Sequence, residues 1–162
     1  MFGLVESPGK TADSEGRRLA ELSAAIRESS IKRLRQVPTD LEGWRIDPEA
    51  LSFADLAHHL IAADRWLFDK LADPELPPMV ARTGEAPEGW NAYLSLLDQL
   101  EATGRQRYDL LAAMSDERLT EPISDSRFDG GVAVWWTIVR GNLDHEIHHR
   151  GQLTVYLRVA CQ

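Results

Sequence analysis

Five histidines occur in the sequence, and they fall into two clusters: His58 beside His59, and His145, His148 and His149 close together near the C-terminal end. A neutral imidazole offers a lone pair to a divalent cation, and histidines spaced i, i+4 on one helix face can chelate a single ion. His145 and His149 have that spacing. At about 100° per residue they lie about 40° apart, while His148 lies about 60° to the other side of His145. The same face carries Val134, Ile138, Tyr156 and Val159, together with Asn142 and Gln152. A polar stripe therefore runs down a face that should enter the core, and buried polar groups must find partners. A metal ion is one economical partner. With one histidine of the upstream doublet added, three imidazoles surround the ion and leave positions open for water or substrate, as in catalytic zinc sites.

These residues need elements to position them, and the hydrophobic periodicity supplies four long helices. Met1 to Ala12, with Pro8 and Gly9, reads as a loose lead-in, followed by a single domain over residues 13–160. Helix 1 is expected from Asp13 or Ser14 to Gln36, with Leu19, Leu22, Ile26, Leu34 and Val37 on one face. Ser30 and Arg33 intrude on that face and are expected to reach its rim. Pro38 ends the helix. Ser52 and Asp55 have capping-box form and open helix 2, which runs to about Ala72. Its stripe is Phe53, Leu56, Ala57, Leu60, Ile61, Leu67, Phe68 and Leu71. Asp64 sits near the middle of that stripe, which is unusual for a carboxylate. It reads either as half of a buried ion pair with an arginine of helix 1 or 4, or as support for a site. His58 and His59 flank the stripe on its two edges, and the helical wheel hardly separates them.

The connection from Asp73 to Gly89 carries Pro74, Pro77, Pro78 and Pro87, which exclude regular structure. It is long for a bundle loop, the mark of a lid or a site wall, although plain surface packing is equally possible. Helix 3 is expected from Trp90 to Met114, with Tyr93, Leu97, Leu100, Tyr108 and Leu111 as its seam. Gly104 in that seam leaves room for a close neighbour. Thr120 to Gly131 reads as irregular, with Asp129 a candidate cap for helix 4 from Val132 to Val159. That helix has a second apolar face of Val132, Trp136, Val139, Leu143, Ile147 and Leu157, which a second copy is expected to cover in a homodimer. Four long helices without a strand pattern make an all-α four-helix bundle.

Composition narrows the function. Of the 162 residues, 43% are hydrophobic and 27% charged, ordinary for a soluble globular chain. The net charge of −8 gives no broad basic footprint for nucleic acid. No segment is apolar enough to span a membrane, no signal peptide is evident, and a cytoplasmic location is expected. The single cysteine, Cys161, precludes an intrachain disulfide and cysteine-rich zinc sites. No serine-nucleophile motif, P-loop or dinucleotide fingerprint is present.

The segment His145-Glu146-Ile147-His148-His149-Arg150-Gly151-Gln152-Leu153, followed by Tyr156-Leu157-Arg158, resembles the last-helix signature of the DinB-like superfamily. Leu56-Ala57-His58-His59-Leu60 with Asp64-Arg65-Trp66 is similar to its second-helix pattern, and Ser115-Asp116-Glu117-Arg118-Leu119 to its turn after helix 3. The resemblance implies an up-down-down-up four-helix bundle, often dimeric, holding one divalent metal on three histidines. Carried over by position these are His59, His145 and His149. His59 is preferred to His58 because it lies three after Leu56 and five before Asp64. Asn142, Asp64, His148 and Gln152 are candidates for orienting groups. Zn or Ni is the first expectation for the metal, with Mn, Fe or Co as alternatives. The family includes transferases and isomerases that use low-molecular-weight thiols. The expected function is metal-dependent transfer of such a thiol to a small electrophile, and the expected partner is this small-molecule substrate rather than nucleic acid or membrane. A metal-dependent hydrolase is the runner-up, and a non-catalytic metal-binding stress-response protein the third reading.

Overall fold

The computed structural model describes residues 14–80 and 84–162; the expected lead-in over residues 1–12 lies outside them. Four long helices make the frame. Helix α1 spans Glu15–Leu34, α2 Phe53–Ala72 and α3 Trp90–Ala112. A short α4, Asp116–Thr120, follows. The last long helix is built in three consecutive pieces: α5 Val134–Ile138, a π-helical turn Val139–Leu143, and α6 Asp144–Ala160.

The ends of the helices follow from local chemistry. Ser14 caps α1, its Oγ accepting from the backbone N–H of Arg17 at 3.2 Å. The helix stops two residues short of the expected Gln36, and Val37 is buried in the turn that follows. At α2 the expected capping box is present: Ser52 Oγ accepts from Asp55 N at 3.0 Å, and Asp55 Oδ2 from Ser52 N at 2.9 Å. Asp55 Oδ1 also accepts from Ala86 N at 3.0 Å, tying the end of the proline-rich connection to the start of α2.

Packing gives the topology. α1 and α2 each lie between α3 and α6. Arg27 pairs with Glu146 and Arg33 with Thr154, so α1 and α6 run parallel. Tyr93 bonds to Leu34 and Arg107 to Ser23, so α3 runs antiparallel to α1. Phe53 stacks edge-on against Tyr156 while Asn142 reaches Ala63, so α2 opposes α6. The long helices therefore run up, down, down, up, as the resemblance implied. α1 and α3 come close enough at Gly16 that a Cβ there would meet Met114 O at 2.4 Å.

The core is in two halves. One contains Ile31, Leu34, Phe53, Leu56, Leu60, Tyr93, Leu97, Leu100, Leu153 and Tyr156. The other contains Ala20, Ile26, Leu67, Leu111, Leu119, Ile123, Val134, Ile138 and Leu143. Each fully buried leucine here contributes on the order of 2 kcal/mol.

Several expectations are corrected. Val132–Ala133 is not helical; it pairs antiparallel with Pro122–Ile123 as a two-residue ladder, β1–β2. Asp129 caps nothing, since the N-cap of α5 is Ala133 with no side-chain bond. Leu22 and Val159, assigned inward, are 49% and 44% exposed. Leu143, assigned to an outward face, is buried in the second core half. Leu143 lies inside the π turn, whose extra residue breaks the 100° step on which the faces were drawn, and Val159 lies in the last turn of α6. Ser30 does not reach the rim; it is fully buried and donates to Ile26 O at 3.2 Å.

Candidate metal centre

His59 projects from α2, and His145 and His149 from consecutive turns of α6. The π turn just before α6 sets the phase at which that helix presents its histidines. The Nε2 atom of His145 lies 3.0 Å from that of His59 and 3.0 Å from that of His149. The ligand atoms of all three fall within 4.8 Å of one another. Their rings meet edge to face, with centroids 4.5–4.9 Å apart. The structure thus brings together the three expected residues; the His148 ring lies edge-on to that of His149 at 5.0 Å but offers no atom to the convergence. His58 is half-buried and outside the convergence, and His148 is exposed.

Gln152 sits one turn beyond His149 and its Oε1 lies 2.7 Å from His149 Nδ1. An amide oxygen only accepts, so this contact places the proton on Nδ1 and leaves Nε2 of His149 with its lone pair directed at the cluster. His145 has no such support: its Nδ1 is buried without a hydrogen-bond partner. Burial pushes His59 and His145 down from 6.5 to about 4, with neighbouring imidazoles adding repulsion. His149 is lowered by burial too, although its bond to Gln152 opposes this. At neutral pH the three rings are therefore uncharged donors.

Do these residues fit a metal? Ligand nitrogens on a tetrahedral zinc ion stand about 3.3 Å apart, close to the two separations of 3.0 Å found here. Each neutral imidazole has one N–H, so three inward nitrogens cannot satisfy one another pairwise. A cation at their centre would satisfy all three. The donor set fits Zn, Ni, Co, Mn or Fe without selecting among them.

A charged layer lies directly beside this cluster and between the two core halves. Arg107 of α3 is fully buried; its Nη1 lies 2.9 Å from Asp64 Oδ1, 2.8 Å from Asn142 Oδ1 and 2.8 Å from Glu146 Oε2. Arg27 of α1 grips Glu146 with Nε and Nη2, both at 2.8 Å, and its Nη1 lies 2.9 Å from Asp64 Oδ2. Burial opposes the charge on Glu146, but these arginines outweigh it and hold the carboxyl at about 2. Of the two readings of Asp64, the structure shows the buried ion pair, made with helix 1 rather than helix 4 and with a second partner on helix 3 that was not anticipated. Asn142 belongs to this layer rather than to the histidines. Arg27, Arg107 and Glu146 were missed from sequence. For Glu146 a signal existed: with His149, Leu153 and Tyr156 it completes the buried stripe of α6.

A cavity of about 470 Å³ opens beside His145. Trp66, Leu76, Pro77, Pro78 and Met79 give it an apolar wall, and Arg127, Arg140 and Lys70 add cations. The stretch from Glu75 to Met79 of the proline-rich connection is thus a wall of this cavity. Two residues of α2 fasten it: Lys70 Nζ donates to Pro74 O and Leu76 O, each at 2.6 Å, and Trp66 Nε1 donates to Pro77 O at 3.0 Å. A larger groove of about 600 Å³ lies on the outer face between α1 and α3 and is lined by none of the three histidines.

The fold is similar to that of a crystal structure of a DinB-like protein, YjoA, from Bacillus subtilis, with a TM-score of 0.68 over 90% of this chain and 92% of that one, at 15% sequence identity. No curated protein matches the sequence. The model of the DinB superfamily matches residues 22–153, which take in α2 and α3 whole, the larger part of α1 and of α6, the histidine triad and the charged layer. On that match the chain belongs to the DinB superfamily.

Proposed function

We propose that this chain is a divalent-metal protein that transfers a low-molecular-weight thiol to a small electrophile, with His59, His145 and His149 as its ligands. The observation that supports it best is the convergence of three uncharged Nε2 atoms beside a cavity of substrate size. When bound, a divalent ion supplies Lewis acidity and lowers the pKa of a thiol that reaches it. Gln152 keeps the His149 proton on Nδ1. Trp66, Pro77, Pro78 and Met79 give one side of the cavity an apolar lining. In the transfer, the sulfur lone pair forms the new S–C bond, the thiol proton passes to solvent, and the leaving group departs with its bonding electrons.

The sulfur comes from a cosubstrate. Cys161 is exposed at the far end of α6, about 24 Å along the helix axis from His145. Hydrolysis is the weaker reading, because Glu146, the carboxylate adjacent to His145, is held by two arginines and is not free to act as a general base. A homodimer is the proposed assembly; Ile147, Val155 and Val159 on α6 are its exposed apolar residues, and sedimentation at twice the chain mass checks it.

The test begins with metal content. Purified wild-type and His58→Ala proteins should retain metal, whereas His59→Ala and His149→Ala should lose it. The metal-loaded protein is then assayed with glutathione, bacillithiol, mycothiol and coenzyme A against a panel of electrophiles. Metal-dependent thiol consumption is expected. No turnover with any thiol would remove the transferase reading, and ester or amide cleavage without thiol would replace it with hydrolysis.

A further inference from the structure

Apart from the two other histidines of the cluster, no hydrogen-bond partner among the described residues holds the ring of His145. Its Nδ1 has no hydrogen-bond partner, unlike His149, whose Nδ1 is fixed by Gln152. Its position must therefore come from the placement of the helix itself. The residue that anchors that turn is its neighbour, Glu146, which is 1% exposed and carries both oxygens on Arg27. One turn earlier Asn142 donates to Ala63 O at 3.2 Å, on the helix that carries His59. Arg107 gathers Asp64, Asn142 and Glu146 around a single Nη1. That nitrogen has only two hydrogens for three acceptors, so small shifts of any acceptor redistribute the bonds of the others.

We propose that the Arg27–Glu146 pair, joined by Arg107, is the positioning device of the histidine centre. It sets the depth and rotation at which α6 delivers His145 and His149 to His59. The layer touches all four long helices, whereas the histidines bridge only α2 and α6. Arg27 and Glu146 are positioning residues: both act through the helix and reach no substrate. The inference rests on the metal reading above.

Gly104 offers a test that keeps every charge. A Cβ at this position would meet Arg27 Cγ at 2.8 Å and Nη1 at 3.1 Å, so Gly104→Ala must displace the arginine. Removing a glycine from a helix interior favours the helix itself, and Gly104 lines the outer groove, away from the histidines. Co(II) is titrated into the metal-free wild type, Gly104→Ala, Glu146→Gln and Arg27→Lys proteins, with affinity read by chelator competition and geometry by the visible absorption of bound cobalt. Leu111→Ala, in the other core half, serves as a variant destabilised without touching the layer. The three layer variants should bind cobalt about tenfold or more weakly with an altered absorption envelope, while Leu111→Ala keeps wild-type values at temperatures where it is folded. Wild-type affinity and spectrum in Gly104→Ala together with any folded member of the other two would reduce the layer to a structural role and overturn the proposal. Absence of cobalt binding by the wild type itself would instead overturn the metal reading.

Discussion

Two polar clusters lie side by side in this bundle, and adjacent residues of α6 serve them. Glu146 enters a layer in which two arginines and two carboxylates answer one another. His145 enters a cluster of three like groups, with its Nδ1 unpartnered. The first region pairs its charges within the fold; the second gathers three imidazoles that could hold a metal ion. Burial of polar groups thus has two different meanings one residue apart. Internal pairing serves the architecture, whereas convergent donors of one kind serve a ligand.

The largest expected effect breaks the charge-paired side. Arg107→Met leaves Asp64 and Glu146 sharing one arginine and should cost about 3–5 kcal/mol, seen as a Tm lower by roughly 10–15 °C. A loss below about 1 kcal/mol would mean that the layer is not an interdependent unit. On the histidine side the effect is a gain. Zinc or nickel at one hundred times its Kd should stabilise the wild type by about 2.7 kcal/mol, and His149→Ala should show no such gain in thermal denaturation. Gln152→Leu is smaller still. It frees the His149 proton and should weaken metal binding about tenfold while leaving the metal-free Tm nearly unchanged; an equal affinity would deny Gln152 its orienting part.

Acid should read the two regions in separate windows. His59 and His145 have folded values near 4 against an ordinary 6.5, so the fold disfavours their protonated forms. Their contribution is complete above about 6.5 and is lost as pH falls toward 4. Glu146 lies near 2 against 4.5, so its contribution is complete above 4.5 and is lost as pH falls through 2. Urea midpoints of the metal-free protein at pH 7, 5 and 3 should fall in two stages, and His59→Leu should flatten the first. A single stage unaffected by that substitution would contradict the assignment.

Much of this was legible in the sequence for physical reasons. Ser52 and Asp55 announce the start of α2 because capping is local chemistry. The i, i+4 spacing of His145 and His149 survives because both lie beyond the π turn. The choice of His59 over His58 did not follow from the helical wheel, where the two sit symmetrically; it came from the family pattern, and it is the Nε2 of His59 that lies 3.0 Å from that of His145. An arginine of helix 1 was anticipated for Asp64 without singling out Arg27, and Arg107 was invisible because a charged side chain on a helix is normally solvated and only a partner on another helix makes it internal. Val134 and Ile138 are buried as expected, whereas Leu143 was assigned to the wrong face because a uniform helical step cannot represent the five-residue π turn in which it lies. The β1–β2 ladder is too short to carry an alternating pattern.

The fastening of the cavity wall to α2 has a kinetic consequence. Lys70 and Trp66 hold the carbonyls of Pro74, Leu76 and Pro77, so this wall is tied at three points to the helix that carries His59. A ligand that enters meets a surface already in place, and little loop-ordering entropy is lost on association. Capture by such a cavity is a single encounter step, with an observed rate that rises in proportion to ligand concentration instead of levelling at the rate of a closing motion. Cutting the fastening, as in Trp66→Phe with Lys70→Met, would turn the wall into a moving part and introduce that plateau.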